Sequence, residues 1–436
     1  MFSVNTLQRQ ILSLLGFFSS IMLVAISERP IYYYFLLIYI MYSCWLIVFK
    51  FRKMSLKYDK DFILVYCSIV FSVISCEFSK IPNTWKSAAT QGLVWATIIL
   101  LFYMSLINSK RLFNISKYIL AMRYAFILQI IWCYLQYTCY KCYSLDINEL
   151  IFKDMLHMQT MSNSFRDGEL MVTGFWTHTQ NIAVVIVIAY FMFDNRIIHL
   201  LLVGIAVMSK GTTAVLGIII CVLIDLIMKK NQKVIKFRAT PKQLIVGSIV
   251  IIAIVIVIIQ NGILSVAKVE IDRLIEKLSF DSSDNSANMH LRYYTSIPII
   301  YHDSNLLQII LGYGYRCSGY PFVKLLNQYS NLSSFVVESD IINTLLSTGI
   351  IGFILFYGWL IAIMLKGKRI NWKYTACIGV ILIEGIAYEV QMDWVIVFEI
   401  IMMISIRYNI DIFDISENSY YQKININKIK QVIECI

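Results

Sequence analysis

Apolar runs of about 20 residues recur along the whole chain, and a run of that length crosses about 30 Å of hydrocarbon as a helix. The pattern predicts spans at 10–27, 31–49, 62–78, 88–107, 118–138, 178–193, 196–208, 211–228, 243–261, 340–365, 374–391 and 393–407. Inside lipid the backbone must satisfy its own hydrogen bonds. The expected fold class is therefore all-α: a polytopic integral membrane helical bundle of about twelve transmembrane helices. Ile11 to Ile26 is followed within a few residues by another span, so it reads as a first helix and not a removed leader.

The polar stretches between spans orient the bundle. Basic clusters fall at Lys50, Arg52, Lys53, Lys57 and Lys60, then at Lys110, Arg111 and Lys117. They return at Lys229, Lys230, Lys233, Lys236, Arg238 and Lys242, at Lys366, Lys368, Arg369 and Lys373, and at Lys423, Lys428 and Lys430. With the spans above, every cluster lies on one side. Positive loops stay cytoplasmic, so both termini are expected there. The organisation reads as helices in 1–138, an outward loop at 139–177, helices in 178–261, a larger outward loop at 262–339, helices in 340–407 and a cytoplasmic tail at 408–436.

Loops this long in a compact fold are usually functional. In the larger one, Val266, Ile271, Leu274, Ile275 and Leu278 recur near helical spacing, which predicts an amphipathic helix on the membrane or capping the bundle. A second helix is expected from near Ser286 through Arg292 toward Pro298, and Gly312-Tyr313-Gly314 reads as a turn.

Composition narrows the function classes. Hydrophobic residues make up 58% of the 436 positions and charged residues only 15%, well below the roughly one quarter of a soluble domain. The net charge of +11 follows from the one-sided loops, so no nucleic-acid partner is implied. Tyr, Phe and Trp are abundant, as at membrane interfaces. Most of the ten Cys sit inside apolar runs and read as small hydrophobes; Cys139 and Cys142 form a lone C-x-x-C, a weak signal. The chain carries no phosphate loop, no dinucleotide-binding glycine pattern, no Asp-x-Asp pair and no His-Glu-x-x-His. A donor substrate would then be activated by something other than a nucleotide and would arrive through the membrane. No metal or cofactor is expected.

Four outward or near-interface segments carry candidate chemistry. The first is Thr173-Gly174-Phe175-Trp176-Thr177-His178-Thr179-Gln180-Asn181. The second is Ser209-Lys210-Gly211-Thr212. The third runs from Arg292 through Pro298 to Leu311-Gly312-Tyr313-Gly314. The fourth is Glu338-Ser339-Asp340-Ile341-Ile342-Asn343, followed by Gly349-Ile350-Ile351-Gly352. Arg presents a planar fork suited to phosphate oxygens and Lys a point charge; the bland alternative is that each snorkels to headgroups. Glu338 and Asp340 stand at a helix start, where the dipole favours carboxylates. His178 and Asn181 could simply cap a span, and the tyrosines could stack on sugar rings or pack at the interface.

At these segments the chain resembles the O-antigen polymerase (Wzy-type) and ligase superfamily of membrane glycan transferases, over about 165–365 and in overall topology. The fourth block, with Phe353 and Phe356, is the most specific, and the Arg292 to Gly314 block follows. The resemblance implies transfer of a glycan from polyprenyl (undecaprenyl) diphosphate to a sugar hydroxyl at the outer face of the plasma membrane, without a metal. It implies lipid-linked donor and acceptor, membrane lipids and a chain-length regulator as partners. It gives Arg292 and Lys210 to the diphosphate, and Asp340 or Glu338 to the acceptor hydroxyl as base. His178, Asn181, Asn343 and Tyr313 fall to substrate binding. The family's Ser-Arg-Gly stands here as Ser209-Lys210-Gly211, and the His common in ligases near the fourth block is absent, which favours a polymerase over a ligase. The rival class is a lipid-linked oligosaccharide flippase or other transporter, because Glu384, Glu389, Asp393 and Glu399 lie in or between the last two spans.

Overall fold

The computed structural model describes residues 4–21, 24–26, 29–50, 59–82, 84–108, 113–155, 165–166, 168–176, 179–230, 285–324, 337–389, 391 and 393–414. Helices occupy eleven of the twelve expected positions. They are α1 (Val4–Ser20), α2 (Ile31–Lys50), α3 (Lys60–Ser79), α4 (Trp85–Asn108), α5 (Phe113–Tyr143), α6 (Thr179–Met192), α7 (Arg196–Met208) and α8 (Thr212–Lys230), then α12 (Asp340–Gly367), α13 (Trp372–Ala387) and α14 (Asp393–Arg407). The expected span at 243–261 and the amphipathic helix at 266–278 lie outside the described residues. Between α8 and α12 come α9 (Asn285–Asp303), α10 (Leu306–Leu311) and α11 (Tyr320–Lys324). The expected helix near Ser286 is thus α9, and it continues through Pro298.

Among the described residues four helices are long and apolar enough to cross a membrane: Lys60–Ser79, Trp85–Ile107, Ile115–Tyr143 and Asp340–Gly367. Ile31–Trp45, Asn181–Met192, Arg196–Met208 and Thr212–Met228 are apolar but shorter. The bundle turns large apolar side chains outward, among them Met41, Leu93, Ile131, Leu226, Ile354 and Leu365. Such a surface is costly in water and natural in lipid. By contrast, α6 from Ile182 to Met192 and α14 from Trp394 to Ile404 are buried all round. A helix apolar on every side and enclosed by others is an axial element of its bundle.

Two boundaries differ from expectation. The first helix starts at Val4 and stops at Ser20, and Val24–Ile26 then pairs as a strand (β1) with Arg29–Pro30 (β2). Val and Ile are β-branched and suit a strand, and Pro30 cannot continue a ladder. Helix α13 ends at Ala387, not 391, because Tyr388 is extended (φ −139°, ψ 162°). The 139–177 loop is also shorter than expected: α5 runs to Tyr143, a π-helical turn covers Glu149–Met155, and Phe165–Arg166 (β3) pairs with Glu169–Leu170 (β4).

Helix α3 packs against α12 and α4, α1 against α5 and α2, and α8 against α6 and α13. The α3–α12 pair is what positions the candidate site.

Candidate functional site

Helix α12 is broken at Gly349, which has φ 65° and ψ −174°. That conformation is nearly exclusive to glycine. A break frees carbonyls from the helical ladder, and they need partners when buried. The Gly312-Tyr313-Gly314 turn supplies them: Tyr313 N–H donates to Leu346 O at 2.7 Å and Gly314 N–H to Ser347 O at 3.0 Å. The contact is close enough that a Cβ on Gly312 would meet Gly349 N at 2.4 Å. The third and fourth sequence blocks therefore form one joint.

Helix α3 holds the other side of the joint through a stripe of serines. Ser79 Oγ donates to Gly312 O at 3.0 Å, Ser75 Oγ donates to Leu311 O, and Ser68 Oγ donates to Gly352 O at 2.8 Å. Ser72 contributes its carbonyl, which accepts from Tyr315 N–H at 3.0 Å. Ser68, Ser72, Ser75 and Ser79 recur at four, three and four residues, so they share one helix face. That spacing was legible in the sequence, though nothing in it named the partner. An apolar cluster of Tyr293, Ile300, Tyr313, Cys317, Phe322, Val337, Ile342 and Leu346 packs the segment before α12 onto the N-terminal end of that helix.

The candidate acid–base residues stand where α12 begins. Ser339 precedes the helix and makes no cap with its side chain. Its Oγ donates instead to Ile386 O at 2.9 Å and meets Tyr294 OH at 3.0 Å, tying α9 to the end of α13. Asp340 is 2% exposed. Its N–H donates to Tyr388 O at 3.3 Å, and its Oδ2 accepts from Gln391 N–H at 3.0 Å. Asp340 is thus not a cap of its own helix; it clamps the connection between α13 and α14. Gln391 extends the chain inward, its Nε2 donating to Glu399 Oε1 at 3.1 Å. Burial pushes the Tyr294 hydroxyl pKa up.

The other predicted residues divide. Glu338 is exposed. Asn343 accepts a hydrogen bond from Ser347 Oγ at 3.2 Å, and its N–H donates to Ser339 O at 2.7 Å, so it is a link within the joint. Tyr313 is 2% exposed and its hydroxyl meets Ser304 Oγ, which seats it inside the loop packing. Arg292 lies on the exposed stripe of α9 with Thr295, Pro298 and Ile299, opposite the buried Tyr293, Ser296 and Ile300. Among the described residues it makes no ion pair. His178 lies outside the described residues, and Asn181 is buried in the first turn of α6.

Lys210 does not snorkel. It is 5% exposed, has a left-handed backbone (φ 51°), and its Nζ lies 2.9 Å from Glu169 Oε2. Glu169 is shared with Lys141, whose Nζ is 2.6 Å from Oε1. The hydrogen bond from Lys141, with help from Lys210, holds the Glu169 carboxyl below its ordinary range. Among the described residues, two cations meet one carboxylate there.

The first sequence block is held by polar groups that sequence reasoning missed. Gln136 Oε1 accepts from Gly174 N–H at 3.0 Å, Gln129 Oε1 accepts from Phe175 N–H at 3.1 Å, and Asn148 Nδ2 donates to Gly174 O at 2.7 Å. Val172 N–H donates to Met208 O at 3.1 Å, fastening this loop beside Lys210. Gln129 and Gln136 stand seven residues, two turns, apart on one face of α5 within its apolar middle, and polar side chains at that spacing inside a span are the signal.

Deeper in the bundle, Glu384 and Glu399 are fully buried. Both carboxylate oxygens of Glu384 lack a hydrogen-bond partner among the described residues, and so does Oε2 of Glu399. Among the described residues no three His, Cys, Asp or Glu side chains come together as a metal-binding set. Neither a family model nor a curated protein matches this chain.

Proposed function

We propose that this chain is a polysaccharide polymerase that joins polyprenyl-diphosphate-linked oligosaccharide repeat units at the outer face of the plasma membrane. About twelve helices cross that membrane, with both termini cytoplasmic. What supports the reading is the meeting of the two most specific sequence blocks in one joint, where Gly312 to Gly314 dock into the break at Gly349. The segment that carries Arg292 packs on the same helix, where Tyr294 meets Ser339, the residue before Asp340. The reaction needs three things: a cation for the diphosphate, an acceptor for the hydroxyl proton, and a shape that admits two lipid-linked glycans.

In this reading the acceptor hydroxyl oxygen attacks the anomeric carbon of the donor. The bond from that carbon to the diphosphate breaks, and the diphosphate leaves with the electron pair. Arg292, exposed and without an ion pair among the described residues, neutralises the leaving charge. Asp340, or Glu338 on the open side of the joint, takes the hydroxyl proton. Lys210 acts from its ion cluster with Glu169 and Lys141 as a second source of positive field. No nucleotide, metal or cofactor enters.

The test is the surface glycan profile of a strain lacking this chain, with and without complementation. A core carrying a single repeat unit in the deletion strain supports the polymerase. Lipid-linked polymer with nothing attached to the core makes the protein a ligase. A transporter is the second reading, favoured by the helix break at Gly349 and by the buried Glu384, whose carboxylate has no hydrogen-bond partner among the described residues. Repeat units trapped on the cytoplasmic leaflet would establish it and sink the enzyme.

A further inference from the structure

At the end of the bundle away from the joint, a cavity of about 440 Å³ opens between the start of α3, the end of α12 and the end of α14. Its charged lining is Lys60, Lys366, Arg369 and Arg407 against Asp59 and Asp61. Two of the cations are matched: Lys366 pairs with Asp61, and Arg407 Nη1 lies 3.4 Å from Asp59 Oδ2. Lys60 and Arg369 are exposed at the mouth and make no ion pair among the described residues. Among the described residues two positive charges are therefore left without a counter-charge. The floor is apolar, formed by Ile370, Met403 and Ile406.

We propose that this pocket binds a phosphate-bearing anion, and that its source is the headgroup of an anionic membrane lipid. Two unmatched cations on the rim suit a phosphate with net negative charge. An apolar floor at the ends of membrane helices suits the glycerol backbone and first methylenes of a lipid, where a soluble anion would leave that floor exposed. The matched pairs Lys366–Asp61 and Arg407–Asp59 fix the walls, so the site is preformed and the lipid joins three helices at one point. Binding here needs only a membrane location and is independent of the chemistry proposed above.

The test is native mass spectrometry of the full chain released from detergent, titrated with phosphatidylglycerol and with phosphatidylcholine. The wild type is expected to retain phosphatidylglycerol in preference to phosphatidylcholine, with the preference weakening at high salt. Lys60→Gln with Arg369→Gln should reduce that retention by about tenfold or more, given the usual worth of a cation at an anionic membrane surface. A control carrying Lys117→Gln and Arg196→Gln removes two exposed cations elsewhere on the same side by our topology and should leave retention unchanged. Unchanged binding in the first variant, or an equal fall in the control, overturns the pocket. Displacement of the lipid by millimolar inorganic phosphate, with phosphate retained in its place, overturns the lipid as source and assigns the site to a soluble anion.

Discussion

Asp340→Asn keeps an oxygen that can accept the Gln391 N–H and removes only the charge and the proton affinity. Asp340→Ala removes both, and it leaves a buried amide without its acceptor, at a cost of about 1–3 kcal/mol. If Asp340 is the base, Asp340→Asn should fold normally and lose polymer formation by about 10²-fold or more. If it is only a clamp, Asp340→Asn should make normal polymer while Asp340→Ala reaches the membrane in reduced amount. Glu338→Gln serves as the parallel case on an exposed side chain and should leave protein yield unchanged. Lys210 calls for a different experiment, because it is buried against Glu169. Glu169 is one third exposed, so solvent screens the pair and its loss costs about 1 kcal/mol. Lys210→Ala should lower thermal stability in detergent modestly, because Lys141 still pairs with Glu169, and Glu169→Gln, which removes the carboxylate shared by both lysines, should lower it more. Because the Glu169 pKa is lowered in the fold, the pair's contribution is full at neutral pH. It is lost as pH falls through that lowered value. A melting temperature flat from neutral to acid pH would remove the cluster from the stability of this region.

Helices were the legible part of this chain, because an apolar run long enough for a membrane permits little else. The joint was not legible as a joint. Gly312 and Gly349 each announced a turn, but the bonds from Tyr313 and Gly314 to Leu346 and Ser347 link positions more than thirty residues apart. No local periodicity encodes such a contact. The family resemblance gives Arg292 to the diphosphate, while the face of α9 it occupies follows only from the burial of Tyr293, Ser296 and Ile300. Gly349→Ala tests the joint directly. The backbone there costs a non-glycine residue about 1–3 kcal/mol, and its Cβ would meet Ile310 O at 2.3 Å. Loss of folded protein larger than that of Gly358→Ala, where a Cβ meets nothing within 4 Å, is the expected result. Cysteines give a second handle. Cys76 on α3 and Cys317 in the loop are both free and lie in one buried apolar cluster. Mild oxidation of the purified protein should join them and remove two free thiols. Cys317→Ser should abolish the product. Oxidation that leaves both thiols reactive would mean that the loop does not pack on α3 as described.

At the scale of the molecule, ion pairs and hydrogen bonds sort the helix ends into two groups. Lys366–Asp61, Arg407–Asp59 and Lys373–Asp194 join ends at one side, and the Arg123 guanidinium donates to Phe413 O there. Lys141–Glu169–Lys210, Tyr294–Ser339 and Ser79–Gly312 join ends at the other. Lys60, Lys366, Lys368, Arg369 and Lys373 of the basic clusters lie at the first group of ends, and this is the physical content of the proposed orientation. Cys142, exposed at the end of α5, belongs to the second. A membrane-impermeant maleimide applied to right-side-out spheroplasts should therefore modify Cys142, and Cys142→Ser should remove that signal. Lys368→Cys, placed just past the end of α12, should react only after the membrane is permeabilised. The reverse pattern would put the joint, Asp340 and Arg292 on the cytoplasmic face. Lipid-linked repeat units presented outside could not then reach them, and the polymerase reading would fall whatever the glycan gel showed.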